Sequence, residues 1–340
     1  MPDIASREPL TGADAGLPHG VHYPHRGSVF GLQIAGAFPA HGLWTGTEGA
    51  DLRHVSLEVV SRPTLDRTWR DRGAERGVRR PVSHGRPVIA LDEHPDRGYL
   101  LRVDGVGAYG IARDGSRALL APEPIEGWRW QRLLTAQVLP IAALAQGLEL
   151  FHASAVSLHG HLLAFTGPSG AGKTTLAAQL MLAGANFVSD DVLAVERVGD
   201  ELIAHPGPGL MNLRHSAARL FTIHERRLIG SELGRDEAGS RMLVRREARA
   251  LPLGALYLLR RAAGRSAGVD IARLSAPSPR LLLAAGFGAA IQTPARLVRR
   301  LDLCADLARR TAVFALEAPA NAPPAALADA VLRHTRRNAA

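Results

Sequence analysis

Lysine is almost missing from this chain. Of its 41 basic residues other than histidine, 40 are arginine, and Lys173 stands alone among 340 residues. Cysteine is equally scarce: Cys304 is the single example, which excludes an intramolecular disulfide framework and a cysteine zinc site. Its setting, LDLCADLARR, has helical spacing and reads as core. No apolar run reaches the 18 residues or so that a membrane-spanning helix needs. The stretch MPDIASREPL lacks a basic segment followed by an apolar one, so a cytoplasmic protein without a membrane partner is expected. Aromatics are 5% of residues, and the arginines fall in scattered pairs such as Arg79-Arg80, Arg245-Arg246 and Arg299-Arg300. That pattern argues against a nucleic-acid face. The formal charge of +9 reads instead as a basic surface suited to an anionic nucleotide or an acidic partner.

What is present is ample apolar material. With 46% hydrophobic residues the chain has room for about two domains of mixed α/β class. Residues 1–20 read as a flexible arm. Short apolar or alternating runs at 28–35, 55–60, 98–103 and 107–112, with a hairpin signal at Asp114-Gly115, make 21–127 a smaller β-rich N-terminal domain. Within it, the arginine-rich stretch 62–86 reads as a long solvated loop. Residues 128–147 have helical spacing despite Pro140, with Gly147 as C-cap, and connect to a second domain at 148–340. There, a strand pair beginning near 148 is expected to end in a turn at His159-Gly160, with strands at 186–189, 192–198, 253–259 and 312–316, and helices at 279–285, 294–309 and 324–336. The segment 205–209 reads as a loop, and the polar, charged stretch 223–246 as a mobile loop near substrate.

The densest signal lies at 161–191, HLLAFTGPSGAGKTTLAAQLMLAGANFVSDD. An apolar strand is followed by Gly167-Pro168-Ser169-Gly170-Ala171-Gly172-Lys173-Thr174, which satisfies G-x-x-x-x-G-K-[ST], and Thr175 leads into a helix. Glycines at these points let backbone N–H groups approach phosphate oxygens, and the helix N-terminus adds partial positive charge. Lys173 is a compact cation for the β- and γ-phosphates, and the Thr174 hydroxyl is a Mg²⁺ ligand. ATP and Mg²⁺ are therefore the expected cofactors. Whatever composition bias replaced lysine elsewhere did not replace it here, where a planar guanidinium is a poor substitute for a point charge.

A nucleotide site also needs a carboxylate for the metal or for the attacking group. Asp190 and Asp191 follow Lys173 by 17 and 18 residues, one helix and one strand later. Consecutive residues at a strand end point to opposite sides, so one aspartate can approach a metal and the other a substrate hydroxyl. A solvated acidic turn is the bland alternative. His152 lies 21 residues before Lys173. A lone histidine in an apolar strand is more often a satisfied core residue, although this strand position can bring it beside the carboxylates.

The segment FHASAVSLHGHLLAFTGPSGAGKTTLAAQLMLAGANFVSDD resembles the catalytic core of the HPr kinase/phosphorylase family, whose pattern runs from a histidine through a glycine turn and phosphate loop to paired aspartates. The resemblance is specific over about residues 152–213. It implies a P-loop kinase core of the HPr kinase/PEP carboxykinase type, with 167–175 binding ATP, Thr174 and Asp190 on Mg²⁺, Asp191 accepting the proton of a substrate serine, and His152 beside it. Where the bifunctional enzymes carry Glu-Ile-Arg-Gly, this chain has PGPGLMNLR, without a glutamate for the metal. That departure bears on phosphorylase activity and on HPr as substrate. A later basic residue of the family corresponds to Arg241, Arg245 or Arg246. The whole layout looks more like the HPr-kinase-related proteins of peptide-modification systems, including lasso-peptide kinases.

The reading is thus an ATP-dependent serine kinase with a peptide or protein acceptor, its oligomeric state open to a homo-oligomer. The rivals are a P-loop ATPase that drives a partner, a small-molecule kinase, and a nucleotide-binding regulator without a phosphoryl acceptor. Against the first, no LSGGQ-like signature and no distal strand ending in Asp-Glu occurs.

Overall fold

A computed structural model describes residues 24–44, 53–69, 79–80, 89–262, 268–287, 291 and 293–338. The expected arm at 1–20 lies outside them. The chain divides into two compact units, one of Met1–Leu148 with Gly288–Ile291, the other of Glu149–Phe287 with Gln292–Ala340.

The first unit is built on strands β1 (His25–Val29), β2 (Leu32–Gly36), β3 (Arg53–Val59), β4 (Arg79–Arg80), β5 (Ile89–His94), β6 (Gly98–Val103), β7 (Gly107–Ile111) and β8 (Arg117–Pro122). They form one sheet in the order β1-β2-β3-β8-β7-β6-β5-β4. The Asp114-Gly115 turn joins β7 to β8, with Gly115 at φ 74° and the Asp114 carboxylate accepting from the Ser116 amide. Helix α1 (Arg62–Trp69) corrects the expectation of a loop from residue 62. Leu65 and Trp69, one helical turn apart, are both buried and pack with Leu100 and Leu119, so two apolar anchors outweigh the surrounding arginines. The rest of that stretch, 70–78 and 81–88, lies outside the described residues. Helices α2 (Gly127–Leu133) and α3 (Leu139–Ala145) are joined by a π-helical turn at Leu134–Val138, which absorbs the approach to Pro140 at the start of α3. Gly147 follows at φ 88°.

The second unit is a mixed α/β sandwich of helices on a sheet. Its strands are β9 (Glu149–Phe151), β10 (Ala153–Leu158), β11 (His161–Thr166), β12 (Asn186–Ser189), β13 (Leu193–Val198), β14 (Glu201–His205), β15 (Leu210–Arg214), β16 (Ser231–Asp236), β17 (Gly239–Leu243), β18 (Leu251–Ala262), β19 (Asp270–Arg273) and β20 (Ala312–Pro319). Its helices are α4 (Lys173–Leu182), α5 (His215–Ala218), α6 (Ile223–Ile229), α7 (Pro279–Ala284), α8 (Pro294–Arg310) and α9 (Pro324–Asn338). β11, β18 and β20 run parallel, as buried strands with helical crossovers do. β10 pairs antiparallel with β11 through a two-residue turn, His159-Gly160, in which both residues have positive φ.

Alternation along β11 gives the sheet two apolar faces. Leu163 and Phe165 join a core with Leu176 and Leu180 of α4 and Leu327 and Val331 of α9. Leu162 and Ala164 join the opposite core with Leu282 of α7 and Leu303, Cys304 and Leu307 of α8. Each fully buried large side chain contributes roughly 1.5–3 kcal/mol relative to exposure. The parallel strands thereby become the fixed floor from which the loop after β11 projects.

The stretch 223–246, expected to be mobile, is ordered as α6 and the β16–β17 hairpin, which pair with β15 in a three-stranded sheet. Its order is local chemistry: Thr222 and Glu225 form a reciprocal capping box on α6, and the Asp236 carboxylate accepts from the Ala238 and Gly239 amides in the hairpin turn. Polarity marked the surface exposure of this segment, not its disorder.

Candidate active site

The loop at 167–172 is fixed to the sheet at its base. Thr166 pairs with Leu258 of β18, and the next step brings Gly167 beneath the Leu259 carbonyl. A Cβ on Gly167 would sit 2.3 Å from that oxygen, and its φ of 153° is itself costly for any other residue. The Ala171 amide donates to the Pro168 carbonyl at 3.1 Å, closing the turn, and Gly172, at φ 101°, hands the chain to α4. Pro168, Ser169 and Gly170 form an exposed crest. Arg261 braces the loop from the side, its Nε donating to the Ala171 carbonyl at 3.2 Å while its Nη1 donates to the Pro319 and Ala322 carbonyls.

Lys173 folds back over this turn. Its ammonium donates to the Gly167 carbonyl at 2.9 Å and the Pro168 carbonyl at 3.3 Å, and the side chain is buried. Burial pulls its pKa below the ordinary lysine value, Asp191 and then Asp190 push it back up, and the Arg214 charge lowers it further. Thr175, in the same turn, is buried.

Asp190 sits at the foot of α4. Its Oδ1 accepts from the Thr174 and Ser154 hydroxyls, both at 2.7 Å, and its Oδ2 from the Asn212 amide at 3.0 Å. Burial raises its pKa above the usual carboxylate range and the neighbouring Asp191 charge adds to this, while the three hydrogen bonds oppose the shift.

Asp191 points elsewhere, for a reason that strand alternation does not supply. β12 ends at Ser189, and Asp191 lies beyond it in the left-handed region at φ 72°, where Asp and Asn are among the few tolerated side chains. Its half-exposed carboxylate lies 3.1 Å from His152 Nδ1. That nitrogen is also 3.0 Å from the Asp191 carbonyl, which can only accept, so Nδ1 carries the proton and Nε2 faces away from this contact. The His152 backbone is held at both ends: its amide donates to Ala285, and its carbonyl accepts from the Thr166 hydroxyl at 3.0 Å.

The fold thus gathers His152, Lys173, Thr174, Asp190 and Asp191 around one loop. Of the three downstream arginines, Arg241 is buried and donates to the Asn212 side chain at 2.8 Å, one residue's amide away from Asp190. Arg245 is exposed, and Arg246 donates to the Glu247 carbonyl, with burial lowering its pKa to about 10. Residues without a signal in the motif complete the arrangement. Ser154 and the Asn212 amide hold Asp190, Thr166 holds His152, and Arg214 donates to the Ser169 hydroxyl at 3.1 Å on the crest. Among the described residues, no group of three or more His, Cys, Asp or Glu side chains is arranged to hold a metal by itself, and no helix is long and apolar enough to cross a membrane.

No known family description matches the chain, and no curated protein matches it by sequence. Among solved structures, it is similar to the HPr(Ser) kinase/phosphatase from Coxiella burnetii, at 12% identity over 56% of this chain and 99% of that one, with a TM-score of 0.30. That similarity is weak.

Proposed function

We propose that the chain is an ATP-dependent kinase that transfers the γ-phosphoryl group to a serine-type hydroxyl of a peptide or protein, with 148–340 as its catalytic domain. The observation that carries this reading is the pairing of two differently placed carboxylates at one glycine loop: Asp190 buried against Thr174, Asp191 half-exposed against His152. Two carboxylates in unlike surroundings take unlike roles.

The oxygen donors fit Mg²⁺. Thr174 and Asp190 supply two hard ligands, and Mg²⁺ bound to a nucleotide ordinarily takes one or two protein oxygens and fills the rest with phosphate and water. When bound, that ion offsets charge on the transferring phosphoryl group. The buried setting and raised pKa of Asp190 suit a carboxylate whose charge is satisfied by a cation. Lys173 leaves the Gly167 and Pro168 carbonyls for phosphate oxygens, and the exposed crest presents backbone amides to them. Asp191 accepts the acceptor's hydroxyl proton, and His152, donating from Nδ1, fixes the orientation of that carboxylate.

Incubating the protein with Mg-ATP and candidate hydroxyl peptides, with mass-spectrometric detection of phosphate addition, tests the reading. Transfer should collapse by at least about a hundredfold in Lys173→Ala, and Lys173→Arg should not restore it. ATP consumption without any phosphorylated product would favour an ATPase instead. Near-full transfer by Lys173→Ala would remove the loop from the mechanism.

A further inference from the structure

Beyond the loop, the second unit has a depression of about 420 Å³ that shares no lining residue with the site above. It is formed by α5, α6 and the β16–β17 hairpin, the last two within the 223–246 stretch that sequence polarity marked as a loop. Its wall carries His215, Arg219, Arg226 and Arg235, with Phe221 and Ile223 between them, and no acidic residue lines it. Glu225 of α6 accepts from the Thr222 amide and hydroxyl in the capping box, and Glu232 accepts from Arg235 at 2.8 Å, so the positive charge offered to a ligand rests on Arg219 and Arg226. Arg219 is exposed, and Ile223 and the adjacent Leu220 are 64% and 54% exposed, large apolar side chains that folding has left uncovered. The volume lies within the ~300–1,000 Å³ range of ligand pockets, and the mixture of cations with an apolar floor suits an acidic segment carrying an occasional large side chain.

Continuity with the loop gives this surface its use. Arg214, immediately before His215, reaches the crest of the loop through Ser169. The wall of the depression and the crest of the loop are thus joined through two consecutive residues, His215 and Arg214. Resting on the kinase reading above, we propose that this groove seats an acidic stretch of the peptide acceptor, so that the modified hydroxyl is selected by glutamates or aspartates near it in sequence. The groove supplies affinity and register, and the loop and paired aspartates supply the transfer.

The test uses the full chain and a fluorescein-labelled peptide of alternating glutamate and leucine, read by anisotropy. Its counterpart with lysine in place of glutamate and a single-stranded oligonucleotide are run beside it, and binding of a fluorescent ATP analogue is measured in parallel. The glutamate peptide should bind, weaken as salt rises, and lose at least about tenfold in affinity in the Arg219→Glu/Arg226→Glu double variant, with ATP-analogue binding unchanged. The Arg219→Gln/Arg226→Gln pair should lose affinity in the same direction and gives the result if charge reversal prevents folding. Equal binding of the lysine peptide, tighter binding of the oligonucleotide, or unchanged affinity in both variants overturns the proposal. Failure of the kinase reading looks different: ATP-analogue binding would then be absent or independent of Lys173 while peptide binding still depended on Arg219 and Arg226.

Discussion

The Thr174 hydroxyl donates to Asp190 Oδ1 at 2.7 Å, joining the first turn of the loop helix to the end of β12 across a gap that no backbone pairing closes. The bond holds a carboxylate in a place where folding alone would rather have a neutral group. Its three donors, Thr174, Ser154 and the Asn212 amide, reduce that cost without removing it, because burial remains the largest influence on its pKa.

Asp190→Asn should therefore remove the pH dependence that this carboxyl gives the fold while abolishing Mg²⁺-dependent nucleotide binding. The sign follows from the raised pKa of Asp190 in the folded state. Whatever stability the neutral acid provides is fully present below the unfolded carboxylate value, about 4, and is lost as pH rises through the higher folded value. Asparagine stays neutral throughout but turns its NH2 toward one of the three donors, a loss independent of pH, so the melting difference between variant and parent should move in the variant's favour as pH rises from about 4 to 7. Thermal melts across pH check this; a difference that stays constant or moves toward the parent between about pH 4 and pH 7 would sink it.

Asp191→Asn is expected to behave in the opposite way. Asparagine tolerates the left-handed backbone that Asp191 adopts at φ 72°, so the fold and ATP binding should survive. Phosphoryl transfer should fall by about 10²–10⁴ through loss of the base. His152→Gln, which keeps a donor toward the same carboxylate, should cost less, about tenfold. Unchanged turnover in Asp191→Asn would take the base role from it.

Two glycines of one loop should respond unequally to alanine. At Gly170, with φ 84°, a Cβ meets nothing within 4 Å, and only the backbone conformation is strained, a cost of roughly 1–2 kcal/mol. At Gly167 the same change adds a collision 2.3 Å from the Leu259 carbonyl, so a further 1–3 kcal/mol is expected. Denaturant titration of the two variants measures the difference, and equal midpoints would mean that the strand and loop yield more easily than their geometry implies.

That the loop, its lysine and the aspartate pair come together was legible because a strand, a glycine loop, a helix and a second strand follow one another at short, fixed spacing. The parallel strand at β18 and the helices α4, α8 and α9 were legible from apolar runs and periodicity. Other parts left no such mark. Asn212 serves Asp190 through its backbone amide, which any residue except proline carries. Ser154 is one small residue among several in an apolar strand. Arg214 and Arg261 were hidden among 40 arginines. The Leu65–Trp69 pair that makes α1 a helix was outvoted by its charged neighbours, and the cap and turn contacts that order 223–246 lie between residues whose polarity alone suggests solvent.

The solitary lysine also makes the loop a chemical landmark. In these 340 residues, a reagent that modifies side-chain amines has one target, and that amine is buried, with burial holding its pKa below that of an ordinary surface lysine. Reaction there reads out how often the ammonium leaves the Gly167 and Pro168 carbonyls, and on the proposed function added nucleotide should shield it. The same composition makes a lysine-specific protease cut these residues after Lys173 alone, at the junction of the glycine loop and α4. Cleavage there requires α4 to unravel at its first residue, so the two fragments count the openings of the site itself.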